Sequence, residues 1–262
     1  MPQAELNGIT VNYRLDGPDD GPVLVFANSL GTDLHMWDPL MSCLPDRYRV
    51  LRYDKRGHGG TSVPDPPYAM GALVRDAEVL IDHLGITSCV FVGLSVGGLI
   101  AQGLAAKRLD LVHAMVLSNT AARIGHAAMW RDRIDAVTQG GIAAIAEAIL
   151  ERWFSRDFRA GGDVDQWRHM LTRQPDAGYI GVSAAIAGTD FYASTSALRL
   201  PTLGIAGSED GATPPDLVRE TLRLVPGARF ELMRRTGHLP CVEHPEAYAR
   251  LLVSFLTDVG HR

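Results

Sequence analysis

FVGLSVGGLI, Phe91 to Ile100, is a short apolar run, then one serine among glycines, then a helical pattern. Gly93-Leu94-Ser95-Val96-Gly97 has the spacing G-x-S-x-G, in which a serine sits on a sharp strand-to-helix turn with its hydroxyl exposed. So tight a turn crowds the neighbours of the serine, and residues without Cβ two before and two after it relieve that crowding. The serine itself is expected in a strained backbone conformation. The helix that follows aims free backbone N–H groups and the positive end of its dipole at the site, which suits an oxyanion. Glycines at strand-to-helix turns are common and Ser95 could be no more than a helix cap, so the reading depends on what the rest of the chain supplies.

Outward from this turn, strands alternate with helices. AELNGITVNYRLDG (4–17) alternates apolar and polar residues around Asn7-Gly8, a hairpin signal, and PVLVFANS (22–29) is a continuous apolar run expected of a strand buried on both faces. RVLRYD (49–54), CVFVGLS (89–95), AMVLSNT (114–120), TLGIAGS (202–208) and RFELMR (229–234) read as further strands, with helical patterns such as Met70 to Leu84 and Leu99 to Lys107 between them. The expected fold is therefore α/β, a mostly parallel central sheet that begins antiparallel and is flanked by helices. One connection, Arg123 to Leu200, is too long for a loop and carries its own helical stretches, MWRDRIDAVTQ, IAAIAEAILERWF and DVDQWRHMLTR. It reads as a helical cap inserted after the sixth strand, giving a core of residues 1–122 and 198–262 and a cap of 123–197.

Composition limits the functions open to such a chain. At 262 residues, 46% hydrophobic and with a formal charge of −5, it can bury a large core and presents no basic field for nucleic acid. No run approaches the roughly 20 apolar residues of a membrane span, and the start MPQAELNGIT has no leader pattern, so a cytoplasmic protein without membrane partners is expected. Cys43, Cys89 and Cys241 are far apart and lack C-x-x-C spacing, which argues against disulfides and against a thiolate metal site. DKRGHGG around His58 lacks the third glycine and the βαβ context of a dinucleotide loop. No metal or cofactor is expected.

A serine hydroxyl is a weak nucleophile and needs a base and an acid that orients it. Asp210 follows the strand TLGIAG in GSEDGATPP and His238 follows the last strand in RTGHLP, so nucleophile, acid and base come in the chain order of α/β-hydrolases. Glu209 is the rival acid; Asp210 is preferred because successive side chains after a strand end point in opposite directions. Of the nine histidines, the others, His58, His113 and His244 among them, read as surface or structural. The second oxyanion donor is expected from the loop after the third strand, NSLGTDLHMW, where the backbone N–H of Leu30 would join that of Val96.

The stretches NSLGTDLHMWDP, RVLRYDKRGHGGTS, GLSVGG, NTAARIG and ERWF resemble the 3-oxoadipate enol-lactonases, α/β-hydrolases of aromatic catabolism, over nearly the whole chain. The elbow and triad specify only the superfamily; NSLGTDLHMW and NTAARIG are the more particular signals. The resemblance implies attack of Ser95 on an enol-lactone, an acyl-enzyme and its hydrolysis to 3-oxoadipate. It also implies an anionic small-molecule substrate, for which Arg123 after NTA and Arg152 in ERWF are candidate partners and Trp130 and Trp153 candidate pocket walls. A carboxylesterase or other hydrolase of the same mechanism, and a non-enzymatic binding protein on this fold, are the alternatives.

Overall fold

The apolar runs pair into one eight-stranded sheet in the computed structural model, which describes residues 1–162 and 164–262. Strands β1 (Gln3–Leu6), β2 (Ile9–Asp16), β3 (Val23–Ala27), β4 (Arg49–Tyr53), β5 (Cys89–Leu94), β6 (Val112–Ser118), β7 (Thr202–Gly207) and β8 (Arg229–Met233) take the order β1-β2-β4-β3-β5-β6-β7-β8. The hairpin β1-β2 and the pair β2-β4 are antiparallel and every later pair is parallel. Every residue of β5 and β7 is buried, as uninterrupted apolar strands covered on both faces must be.

Short α1 (Asp38–Met41) follows β3, and α2 (Met70–His83) and α3 (Val96–Lys107) bracket β5. Helix α3 begins three residues before the Leu99 start read from its apolar spacing, because Gly97 and Gly98 sit inside its first turn and hide the pattern. It packs on β3, β5 and β6, so the residue just ahead of it is held over the carboxyl ends of the central strands.

Between β6 and β7 run α4 (Ala127–Gly140), α5 (Ala146–Trp153), α6 (Arg156–Ala160), α7 (Asp165–Thr172), α8 (Asp176–Ala187) and α9 (Tyr192–Ser196), the helical cap. Asp163, the first residue of the stretch DVDQWRHMLTR read as helical, lies outside the described residues. Helix α4 packs on α8 and α5 on α7, and Arg168 with Glu147 ties the second pair. After the cap come α10 (Pro215–Leu222), α11 (Pro240–Glu243) and α12 (Pro245–Asp258). Among the described residues no helix is long and apolar enough to cross a membrane. Cys89 and Cys241 are buried, and burial pushes the Cys89 thiol up to about 12, so neither is primed as a nucleophile.

Candidate active site

Ser95 stands at the end of β5 with φ 58° and ψ −118°, a backbone conformation that a residue with a side chain rarely adopts. Two contacts hold it there: its N–H donates to the Ser118 carbonyl at 3.0 Å, and its own carbonyl accepts from Thr120 Oγ1 at 2.6 Å. The flanking glycines are required by space. A Cβ on Gly93 would stand 2.2 Å from the Gly97 carbonyl oxygen, and one on Gly97 would stand 2.0 Å from that of Ala27.

Loops after β7 and β8 bring the other two groups. Asp210 Oδ2 lies 2.9 Å from His238 Nδ1 and both residues are buried. Burial alone would push the Asp210 carboxyl up, but the His238 charge and hydrogen bonds from His238, Asn119 Nδ2 and Thr213 outweigh it and hold the group below its ordinary value. Asp210 therefore stays an acceptor, so His238 carries its proton on Nδ1 and leaves the Nε2 lone pair facing the cavity. Glu209, the rival acid, points away and accepts from the Arg156 N–H at 3.0 Å.

The loop after β3 forms the facing wall. The Leu30 and Val96 N–H groups, the two donors expected from sequence, have no hydrogen-bond partner among the described residues. Around Leu30 the loop is pinned: Asn28 Nδ2 and Lys55 Nζ both donate to the Thr32 carbonyl, at 2.5 and 3.0 Å, and the Gly31 N–H donates to His58 Nε2 at 3.0 Å. His58 and Lys55 are wholly buried here. Burial and the neighbouring Lys55 hold the His58 imidazole well below its usual value, which keeps Nε2 free to accept. Burial also draws the Lys55 ammonium down to about 7 against the pull of Asp54 and Asp33.

Ser29, Leu30, Ser95 and His238 open onto a cavity of about 250 Å³ between the strand ends and the cap. Its cap side is Trp130, Arg133, Arg152, Trp153 and Tyr179. Three of the four cap residues singled out in the sequence, Trp130, Arg152 and Trp153, are thus in the lining. Arg123 is not: the chain turns outward after β6, and the half-exposed Arg123 guanidinium faces Asp190 at 3.7 Å. Its place is taken by Arg133, which sequence reasoning missed although it stands three residues after Trp130, on the same helical face, with its guanidinium 4.9 Å over that indole. Arg123, Arg156, Arg159, Arg168 and Arg173 each have a carboxylate within 4.0 Å; Arg133 and Arg152 have none among the described residues. The same two arginines also line a second, outer hollow of about 470 Å³ between α4 and α5, so they stand where the two spaces meet.

The cap is also joined to the catalytic loops through its backbone. The His238 N–H donates to the Trp153 carbonyl at 2.7 Å and the Gly211 N–H to that of Arg152 at 3.2 Å. Partly buried Glu243 accepts from the Gly237 N–H at 2.8 Å and from Ser155 Oγ at 2.5 Å.

Comparisons with known proteins show the family and the fold. The profile of the alpha/beta hydrolase fold matches residues 22–245. 3-Oxoadipate enol-lactonase 2 of Acinetobacter baylyi is 34% identical over 242 residues, 92% of this chain and 90% of that protein. The crystal structure of the enol-lactonase from Burkholderia xenovorans superposes with a TM-score of 0.94 at 37% identity, covering 98% of this chain and all of that one. A thermophilic esterase from Thermogutta terrifontis, with malate bound, gives 0.90 at 28% identity, covering 98% of each chain.

Proposed function

This chain belongs to the alpha/beta hydrolase family, and from that premise we propose that it hydrolyses a small carboxylate-bearing enol-lactone, 3-oxoadipate enol-lactone, through an acyl-enzyme on Ser95. The observation that carries the substrate class is the pair of guanidiniums, Arg133 and Arg152, without carboxylate partners in the cavity that holds Ser95 and His238. Unpaired cations beside an apolar wall of Trp130 and Trp153 suit an anion with a flat apolar body, and the names of the relatives point the same way. The malate in the related esterase likewise carries carboxylate.

The steps follow from the site. Ser95 Oγ attacks the lactone carbonyl as His238 Nε2 takes its proton, while Asp210 stabilises the imidazolium. Charge on the carbonyl oxygen is met by the Leu30 and Val96 N–H groups. Collapse breaks the ring C–O bond, and the departing enolate oxygen takes the proton from His238. Being tethered to the acyl chain, it stays in the cavity and can ketonise. Water then attacks the Ser95 ester with His238 again as base, releasing the 3-oxo diacid, a reaction that belongs to aromatic-compound breakdown.

Steady-state turnover of the enol-lactone beside p-nitrophenyl acetate tests the reading. A higher kcat/KM on the lactone is expected; turnover of the neutral ester alone would reduce the assignment to a plain esterase.

A further inference from the structure

His238 Nε2 has the hydroxyl of Ser29 beside it. Ser29 Oγ lies 3.4 Å from that nitrogen and has no other hydrogen-bond partner among the described residues. Ser29 is 1% exposed and its side chain lines the cavity together with Ser95 and His238. Its backbone is held independently of the hydroxyl, because the Ser29 carbonyl accepts from Thr32 Oγ1 at 2.9 Å and from the Thr32 N–H at 3.3 Å. The loop would therefore keep its shape with alanine at this position. What the hydroxyl adds is a polar atom aimed at the lone pair of the general base.

At 3.4 Å the direct bond is long, at the weak end of the range. A third oxygen lying near both atoms would find better geometry with each. Such an oxygen is required once in the cycle. After acylation Ser95 Oγ is esterified and has no proton to give, and a water must lie within hydrogen-bond reach of Nε2 and of the acyl carbon.

We propose that Ser29 positions this water, an inference that rests on the acyl-enzyme reading above. The water donates one proton towards His238 Nε2 and is held from the side by Ser29 Oγ, which leaves its lone pair free for the acyl carbon. Its oxygen forms the new C–O bond as the proton passes to Nε2. The bond from the acyl carbon to Ser95 Oγ then breaks, Oγ takes the proton back from Nε2, and the acid leaves with no further reactant.

p-Nitrophenyl acetate separates the two half-reactions, since its leaving group departs without needing a proton and acylation is then insensitive to a group placed beside the leaving oxygen. Stopped-flow release of p-nitrophenol, paired with acid-quench mass spectrometry of acetyl-Ser95, reads acylation and deacylation in the parent, Ser29→Ala and Ser29→Thr. Ser29→Ala is expected to acylate within about twofold of the parent and to deacylate about tenfold more slowly, as loss of one hydrogen bond predicts, so that acetyl-Ser95 accumulates. Ser29→Thr, which keeps the hydroxyl, should restore deacylation. Ser29→Cys, close in size but a weak donor, carries the same comparison should the alanine variant not fold. Unchanged deacylation, or equal losses in both phases, overturns the role of Ser29 while acetyl-Ser95 in the parent leaves the acyl-enzyme standing. A parent that never carries acetyl on Ser95 overturns both.

Discussion

The strand-end side of the cavity and its cap side are built on opposite principles. Below, the charged groups are buried and tied: Asp210 takes hydrogen bonds from Asn119, Thr213 and His238, and Lys55 and His58 are sealed under the Leu30 loop. Above, Arg152 is exposed and Arg133 partly so, on helices, without carboxylate partners among the described residues. The lower side is preorganised for one kind of charge movement, whatever the acyl group. The side chains of the upper side face the substrate space, and its cations without carboxylate partners gain most from an anion. Chemistry and selectivity are thereby assigned to different layers of the fold, and mutations in the two layers should behave differently.

The largest effect is expected at the nucleophile. Ser95→Ala should lower kcat on the order of 10⁵-fold on every substrate while Tm hardly moves, leaving the residual rate of an oxyanion hole without a nucleophile. Asp210→Asn comes next, with a loss of about 10⁴-fold on lactone and neutral ester alike, because His238 loses the partner that fixes its tautomer. Glu209→Gln, which touches only the Arg156 N–H, should remain near the parent. Equal losses at Glu209 and Asp210 would contradict the geometry of the acid.

On the cap side the loss should depend on the substrate. Arg133→Ala or Arg152→Ala should cost about ten- to a hundredfold in kcat/KM on the anionic lactone, the scale of a hydrogen bond to a charged group, and little on p-nitrophenyl acetate. Arg123→Ala should leave both unchanged. Equal losses on the two substrates from the cap variants would erase the division between the layers.

The smallest effect is one of stability, and it concerns a cation of the lower layer. With Lys55 drawn down to about 7 from an ordinary 10.5, both folded and unfolded chains carry its proton below pH 7, and between those values only the unfolded chain does. Stability from this group therefore rises with pH across that window. Melting curves of the parent and Lys55→Met should show the parent gaining on the variant by several degrees between pH 7 and 9.

Much of the lower layer was legible in the chain because each piece is local. Ser95 is marked by glycines that its own turn requires, and Asp210 and His238 by their places just after apolar strands. The cap was legible as a length of helical patterns but not as a surface. Arg123 was a candidate through the resemblance carried by NTAARIG, yet the turn after β6 carries it to Asp190. Arg133 is assigned to the cavity by the rotation of α4, for which Trp130 three residues earlier is the only local sign. Lys55 sits in DKRGHGG, a run of charged and glycine residues with no apolar spacing to mark burial, yet its side chain is buried with Nζ on the Thr32 carbonyl.

The backbone bonds from Arg152 to Ser155 have a consequence for how such a chain can diversify. Within that stretch the Arg152 and Trp153 carbonyls brace Gly211 and His238, and the Ser155 hydroxyl holds the Glu243 carboxylate on which the Gly237 N–H rests. Side chains along α4 and α5 are free to be exchanged as new substrates are met. A shortened or lengthened α5 is not, since it would shift the carbonyl on which the His238 N–H rests. In a chimera of two such proteins, a crossover inside 152–155 would separate pieces that have to be inherited together, and the viable junctions lie on either side of it.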